Sequence, residues 1–144
     1  MTTTARTPWH FWPVAVVGLA WNAFGAYDYF MSMTVGAAYY RQMGMTDPQI
    51  AYMDAFPGWM TAIWATGVWC AFGGAVLLAL RRRWSVPVLL LSLAAFLVSL
   101  LYSYLLSNGA EVMGDAAAMQ FVVLAGCIFF AIYSWRQAQT GVLR

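Results

Sequence analysis

Four runs of predominantly apolar residues dominate this sequence and determine the environment in which it folds. They cover residues 11–33, 57–80, 85–107 and 116–135. Each is close to the ~20 residues that an α-helix needs to cross a bilayer. A soluble domain carries about 25% charged residues, whereas this chain carries 8%. The sequence therefore predicts an all-α polytopic membrane protein: one domain over residues 1–144, with four transmembrane helices in an up-down bundle.

The charged residues are divided unevenly between the two ends of the predicted bundle. Six of the seven arginines fall at one end: Arg6, Arg81, Arg82, Arg83, Arg136 and Arg144. Arg41 and the five acidic residues fall at or toward the other end. Because positively charged loops stay in the cytoplasm, both termini are predicted to be cytoplasmic. The three consecutive arginines are predicted topology anchors, and a specific lipid-headgroup site is the alternative.

The first run and the loop that follows it carry further signals. The run is longer than a typical signal-peptide core and no clear cleavage site follows it, so we expect a retained helix. In the outer loop, Thr46, Asp47 and Pro48 form a capped helix start. Apolar residues after this cap could lie on the membrane surface, so we predict a short interfacial helix there.

The first run also contains an amide and a carboxylate, Asn22 and Asp28. On a wheel of about 100° per residue they share an arc of roughly 120° with other residues: Gly18, Trp21, Gly25, Tyr29 and Ser32. In lipid a small, polar face of this kind packs against other helices, because glycine lets backbones approach. We therefore expect the face to be buried in protein, with Gly25 at its centre.

The other runs have matching stripes of small or weakly polar residues. The predicted packing residues of the first two runs are Gly18, Gly25, Gly67, Gly73 and Gly74. The later runs offer serines and, in the fourth run, Gln120 and Cys127. A bundle of this size has little room for a pore within one copy. A conduit would then form between copies, and a homo-oligomer is expected.

The candidate substrate- or ion-binding residues are Asn22, Asp28 and Tyr29. A carboxylate inside a membrane is a functional candidate by default. Asp28 could instead pair with Arg41 or reach water at the end of its helix. Asn22 could instead form a hydrogen bond between packed helices. The sequence leaves these alternatives open.

Signals of catalysis are absent from the sequence. The chain has one histidine, no lysine, and two cysteines inside apolar runs, Cys70 and Cys127, which we interpret as packing residues. No metal, phosphate-binding or catalytic-triad motif occurs, and the net charge of +2 comes from arginines that flank the membrane. We therefore expect no enzyme activity, no catalytic or metal site, no cofactor and no nucleic-acid partner. The bilayer is the expected partner.

Three stretches resemble a group of short four-helix inner-membrane proteins of proteobacteria, some of which are automatically labelled as sugar transporters. They are residues 8–10, residues 21–25 together with 27–29, and residues 106–114. The resemblance implies a location in the bacterial inner membrane and favours transport.

The functional hypothesis is a small integral inner-membrane protein that binds or moves a small solute as a homo-oligomer. The alternative is a non-catalytic accessory subunit that stabilises a larger membrane complex. A water-filled cavity that reaches Asp28 would favour the first. A closed Asn22/Asp28 face, with a lipid-exposed groove on another helix, would favour the second.

The orientation can be tested by labelling single cysteines in a variant that lacks Cys70 and Cys127. Because six arginines lie at one end, a membrane-impermeant thiol reagent should label Glu111→Cys from outside the cell but not Arg82→Cys. Labelling of Arg82→Cys with protection of Glu111→Cys would invert the predicted topology.

Overall fold

The computed structural model describes residues 5–144, and this part of the chain is entirely helical apart from its turns. The elements are α1 Phe11–Thr34, α2 Ala37–Gln42, α3 Asp47–Asp54, α4 Gly58–Ala79, α5 Ser85–Leu101, a π-helical turn Tyr102–Leu106, α6 Gly109–Met113, a 3-10 turn Gly114–Ala117 and α7 Ala118–Gln139. The long helices α1, α4, α5 and α7 start and end within a few residues of the apolar runs.

Within residues 5–144, three helical segments are long and apolar enough to cross a membrane: Gly58–Ala79, Ser85–Leu106 and Gly109–Gln139. They identify a membrane protein. The first predicted span, α1, is not among them, although it has 24 residues and a single charge, at Asp28. Its tryptophans, tyrosines and Asn22 lower its mean hydropathy, so composition alone identifies three spans rather than four.

The long helices pack in the order α1, α4, α5, α7. α1 and α4 run antiparallel, because Phe11 packs with Leu78 at one end. Toward the other end, the Tyr29 ring meets the Trp64 ring edge-on, with centroids 4.9 Å apart. We call the first end, which holds the Arg81–Arg83 turn, the arginine end. The opposite end, with α2, α3 and α6, is the acidic end.

α4 and α5 form the closest helix pair, because small residues and serines face each other between them. Ser85 Oγ donates to the Gly74 carbonyl at 3.0 Å, and Ser92 Oγ donates to the Gly67 carbonyl at 2.7 Å. A Cβ on Gly74 would lie only 2.6 Å from the Leu89 side chain. Small residues that allow backbones to approach, with hydroxyl groups bonding across the contact, are typical of helix pairs in lipid.

The helix predicted in the loop after the first apolar run is present as α3. It begins with a capping box, in which the Thr46 amide donates to Gln49 Oε1 at 3.0 Å. Gln49 Nε2 also donates to the Met113 carbonyl at 3.2 Å, which ties α3 to α6. A small cluster of buried side chains lies beneath it: Tyr39, Tyr40 and Ile50.

The arginine end is closed by two helix ends that pair with each other. Both α4 and α7 finish in Schellman turns, with Arg81 (φ 58°) and Gly141 (φ 77°) in the left-handed conformation. The Arg83 amide donates to the Arg144 carbonyl at 2.9 Å, and the Arg144 amide donates to the Arg81 carbonyl at 2.7 Å. The last residues thereby turn back onto the helices, and Val142 and Leu143 join the core.

This core is the most completely buried part of the described chain. Phe11 and Leu78 are fully buried, with Ala15, Val142 and Leu143 around them. α7 extends to Gln139, past the predicted end at residue 135, and the turn at Gly141 follows it directly.

Truncation of Leu143 tests whether the C-terminal residues pack onto the core at the arginine end. Leu143→Ala should lower the free energy of unfolding by about 2–5 kcal/mol, because it leaves a hole in a packed core. Leu80→Ala is the matched control, since Leu80 is 63% exposed and its truncation should change stability by about 0.5 kcal/mol or less. Melting curves in the same detergent measure both. Equal effects would show that the C-terminal residues are not docked.

Candidate functional site: a cavity between the long helices

A cavity of about 530 Å³ lies between the long helices, on the acidic side of the core. α1 contributes Asn22, Gly25 and Asp28, and the facing walls include Gly67, Ser92 and Cys127 from α4, α5 and α7. Most of the remaining wall is apolar. The cavity forms within one copy of the chain, where the sequence analysis expected little room.

The cavity exists because small residues face one another across it. A Cβ on Gly25 would meet no atom within 4 Å. Closer to the arginine end there is no such space, because a Cβ on Gly18 would lie 2.6 Å from Cε1 of Phe130. His10 Nδ1 and the Tyr133 hydroxyl, 2.9 Å apart, join α1 to α7 still closer to that end. The two helices therefore touch at one end and enclose a void farther along.

The rim of the cavity is formed by exposed side chains. Trp21 and Phe24 belong to α1, Met119 belongs to α7, and Met43 comes from the connection between α2 and α3. An opening between α1 and α7 would face lipid in a membrane, whereas the edge at Met43 lies at the acidic end. A molecule could enter by either route without crossing the core.

The polar groups of the cavity wall make hydrogen bonds to the backbone. Asn22 Nδ2 donates to the Gly18 carbonyl at 2.8 Å, and Ser99 Oγ donates to the Ala95 carbonyl at 3.1 Å. Ser92 is bonded to α4 as described above. In lipid each unsatisfied polar group costs several kcal/mol, so these bonds allow polar residues to line a mainly apolar space.

Asp28 is the one charged side chain in the wall, and its partner is Tyr39. The Tyr39 hydroxyl donates to Asp28 Oδ1 at 2.7 Å. The chain reverses between the two at Gly36, whose φ of 65° is costly for other residues. The hydrogen bond to Asp28, followed by burial, raises the pKa of Tyr39 from 10.0 to about 12. The bond holds α2 against the acidic end of α1.

The pairing of Asp28 with Arg41, which was one alternative from sequence, is wrong. Arg41 lies 3.8 Å from Asp47 instead, and both side chains are largely exposed. Arg41 follows Tyr39 by two residues on α2, so the two side chains point to different sides of a short helix. The buried one, Tyr39, reaches Asp28.

The three candidate binding residues divide between two surroundings. Asn22 and Asp28 both line the cavity. Tyr29 packs into the α1–α4 contact, where its ring lies against Trp64 and, at 6.3 Å between centroids, Trp69. Tyr29 is therefore a packing residue in the described chain.

The five glycines predicted to lie at helix contacts fall into two groups. Gly18 and Gly74 lie at very close contacts, and Gly67 lies at ordinary van der Waals distance from Ala95. Gly25 and Gly73 have no atom within 4 Å of an added Cβ, so neither is at a helix contact. The prediction for Gly25 has to be corrected: it faces the cavity, because no large side chain from α7 reaches it as Phe130 reaches Gly18.

Sequence reasoning missed Tyr39, Ser92 and Phe130 as determinants of the site. Ser92 was visible as part of a serine stripe. Phe130 and Tyr39 gave no signal, because aromatic residues are common at membrane helices and loops. Across residues 5–144, no group of three His, Cys, Asp or Glu side chains is placed to hold a metal ion.

Comparison of the chain with protein families, curated proteins and solved structures finds no match. Functional inference therefore rests on the geometry of the cavity.

The Asp28–Tyr39 bond can be tested by titration. Since the pKa of Tyr39 is raised from 10.0 to about 12, the stabilisation from this bond is complete below pH 10 and is lost as the pH rises toward 12. Phenolate absorbance of the parent protein minus that of Tyr39→Phe should show one tyrosine that titrates at about pH 12. Asp28→Asn removes the charged acceptor and should lower this value toward 10.0. A Tyr39 that titrates near 10.0 in both backgrounds would show that the bond does not form.

Proposed function

We propose that this chain is a four-span integral membrane protein that binds a small, mostly apolar molecule in the cavity between α1 and α7. The single observation that carries the proposal is a cavity of about 530 Å³ that reaches Asp28. Ligand pockets typically measure about 300–1,000 Å³, with mostly apolar walls and a few polar groups that orient the ligand.

The length and the packing of α1 support its assignment as a membrane-spanning helix. Its 24 residues correspond to ~36 Å at the rise of an α-helix, against a hydrocarbon core of about 30 Å. It lies antiparallel along α4 and exposes apolar residues along its outer side: Trp12, Val16, Val17, Phe24, Phe30 and Met33. With α1 included, the long helices form an up-down bundle, with α3 at the membrane surface.

The charge distribution supports an orientation with the arginine end in the cytoplasm. The α4–α5 turn carries Arg81, Arg82 and Arg83, whereas Asp47, Asp54, Glu111 and Asp115 lie at the acidic end. Under the positive-inside rule, both chain ends are then cytoplasmic. The cavity would lie in the outer half of the bilayer, in keeping with a location in the bacterial inner membrane.

The cavity chemistry favours a ligand with an apolar body and one hydrogen-bond-donating or cationic group. Asp28 Oδ1 already accepts from Tyr39, which leaves its second oxygen as an acceptor at the acidic end of the cavity. Elsewhere the wall offers aromatic and aliphatic surface, such as Trp64 and Phe96. A ligand would place its polar group near Asp28 and its apolar body toward Phe130.

Binding explains this geometry better than a conduit through the molecule. The fully buried Phe11 and Leu78 block the arginine end, so passage would require that core to separate. Because a single copy encloses the cavity, the proposal needs no homo-oligomer. The accessory-subunit hypothesis expected a closed interior around Asn22 and Asp28, and the open cavity there argues against it.

Filling the cavity tests the proposal. Gly25→Leu should project into the void, because nothing lies within 4 Å of an added Cβ. Replacement of a helical glycine also favours the helix by roughly 1 kcal/mol, so the melting temperature should be equal or higher. Native mass spectrometry of protein purified from membranes in mild detergent should show a retained small molecule in the parent protein and its loss in Gly25→Leu.

Ala20→Leu is the matched control, because Ala20 is exposed on the same helix. It should retain the molecule as the parent does. Equal retention in all three proteins would contradict binding in this cavity. Absence of any small molecule, together with co-purification of a larger membrane complex, would favour the accessory role.

A further inference from the structure

A second candidate binding surface lies at the arginine end, away from the cavity. It is a shallow concavity of about 300 Å³ lined by Leu80, Arg81, Arg82 and Arg144. The two Schellman turns place these residues side by side, because the Arg144 amide donates to the Arg81 carbonyl at 2.7 Å. Residues far apart in the chain are thus held together by backbone bonds.

Within residues 5–144, the guanidinium groups of this concavity have no Asp or Glu partner. In the part of the chain that the structure describes, one ion pair forms, between Arg41 and Asp47 at the acidic end. The acidic residues nearest in sequence, Asp54 to Arg81 and Asp115 to Arg144, also belong to that end. Positive side chains that are brought together without acidic side chains attract an external anion.

The shape of the concavity depends on Arg81. It holds a left-handed φ of 58°, a conformation that glycine adopts more readily. Its Nε donates to the Val142 carbonyl at 3.1 Å, which fixes the side chain against the C-terminal turn. Within residues 5–144 the Nη atoms of this guanidinium form no hydrogen bond, which leaves their donors available to a ligand. Planar guanidinium donors match the oxygens of a phosphate group.

Apolar side chains flank these arginines. Leu80 is 63% exposed within the concavity, and Trp84 is 73% exposed just beyond it in the same turn. The phosphate group of a phospholipid would bind the donors while its acyl chains contact this apolar surface. A free phosphate ion would use the donors alone. Basic pockets at the ends of membrane helices bind phosphate-bearing lipid headgroups in this way.

We propose that Arg81, Arg82 and Arg144 bind a phosphate-bearing anion, either the headgroup of an anionic lipid or a free phosphate ion. The site is independent of the cavity and of the molecule that the cavity binds. It differs from general attraction to a charged membrane because it uses particular arginines of the turn and not others.

The adjacent arginines of the turn provide a matched test. Arg82 lines the concavity and Arg83 does not, although both side chains are exposed. Arg82→Gln and Arg83→Gln therefore remove the same charge from neighbouring positions. Titration of phosphatidylglycerol into the purified protein, followed by native mass spectrometry, should show affinity about tenfold weaker for Arg82→Gln, the loss expected for one charge-assisted contact. Arg83→Gln should bind like the parent.

A second experiment distinguishes a lipid headgroup from a free phosphate ion as the ligand. Inorganic phosphate is titrated into the same proteins in detergent, and binding is measured from the shift in melting temperature. A shift that depends on Arg82 assigns the site to phosphate itself, whereas lipid binding without such a shift assigns it to the headgroup with its acyl chains. Equal weakening by Arg82→Gln and Arg83→Gln, or binding of neither probe, would overturn the proposal. If Arg82→Gln melts below Arg83→Gln, the exposed Arg144 provides the same comparison as Arg144→Gln.

Discussion

The ring of Phe130 occupies the space where a side chain on residue 18 would lie, and this contact divides the interior of the molecule into two parts. Because residue 18 is glycine, α1 and α7 meet there, with the Phe130 ring 2.6 Å from the position of an added Cβ. On the arginine side, Phe11 and Leu78 pack without exposure. On the acidic side, Gly25 faces no side chain within 4 Å, and the cavity begins. One glycine–phenylalanine contact thus separates a packed core from the cavity.

Hydrogen bonding gives the cavity its chemical character. The cavity-lining Asn22, Ser92 and Ser99 each donate to a backbone carbonyl at 2.7–3.1 Å, so these donors are already used within the protein. Asp28 is different, because its partner is a tyrosine from α2 rather than the backbone of its own helix. The result is an apolar space with one carboxylate at one end, which can orient an amphiphilic molecule but offers few groups to a sugar-like one.

Much of the helical layout could be predicted from the sequence. The apolar runs locate the long helices to within a few residues, since a membrane helix requires a continuous apolar segment of defined length. The start of α3 at Asp47 was also predictable, because Thr46 and Pro48 act locally. The inward face of α1 was only partly predictable from its periodicity: Gly18 and Ser32 are buried, whereas Trp21, on the same predicted face, is 46% exposed.

The site itself could not be predicted in the same way. A glycine in a membrane helix either allows a close contact, as at Gly18, or leaves a void, as at Gly25. The outcome depends on the size and reach of the side chain on the facing helix, which one sequence does not specify. The Asp28–Tyr39 pair likewise depends on the reversal at Gly36. The signal for the C-terminal return was present, since Gly141 followed by apolar residues is typical of a Schellman turn.

The most direct test of the central claim is the reactivity of Cys127, which lines the cavity. In a Cys70→Ala protein in lipid nanodiscs, the rate of Cys127 modification by the small apolar reagent N-ethylmaleimide reports access to that space. If the cavity is present and open, Cys127 should react, and Gly25→Leu should slow the reaction several-fold by filling the same space. A thiol that reacts at the same rate in both proteins would show that α1 and α7 do not enclose the cavity described above.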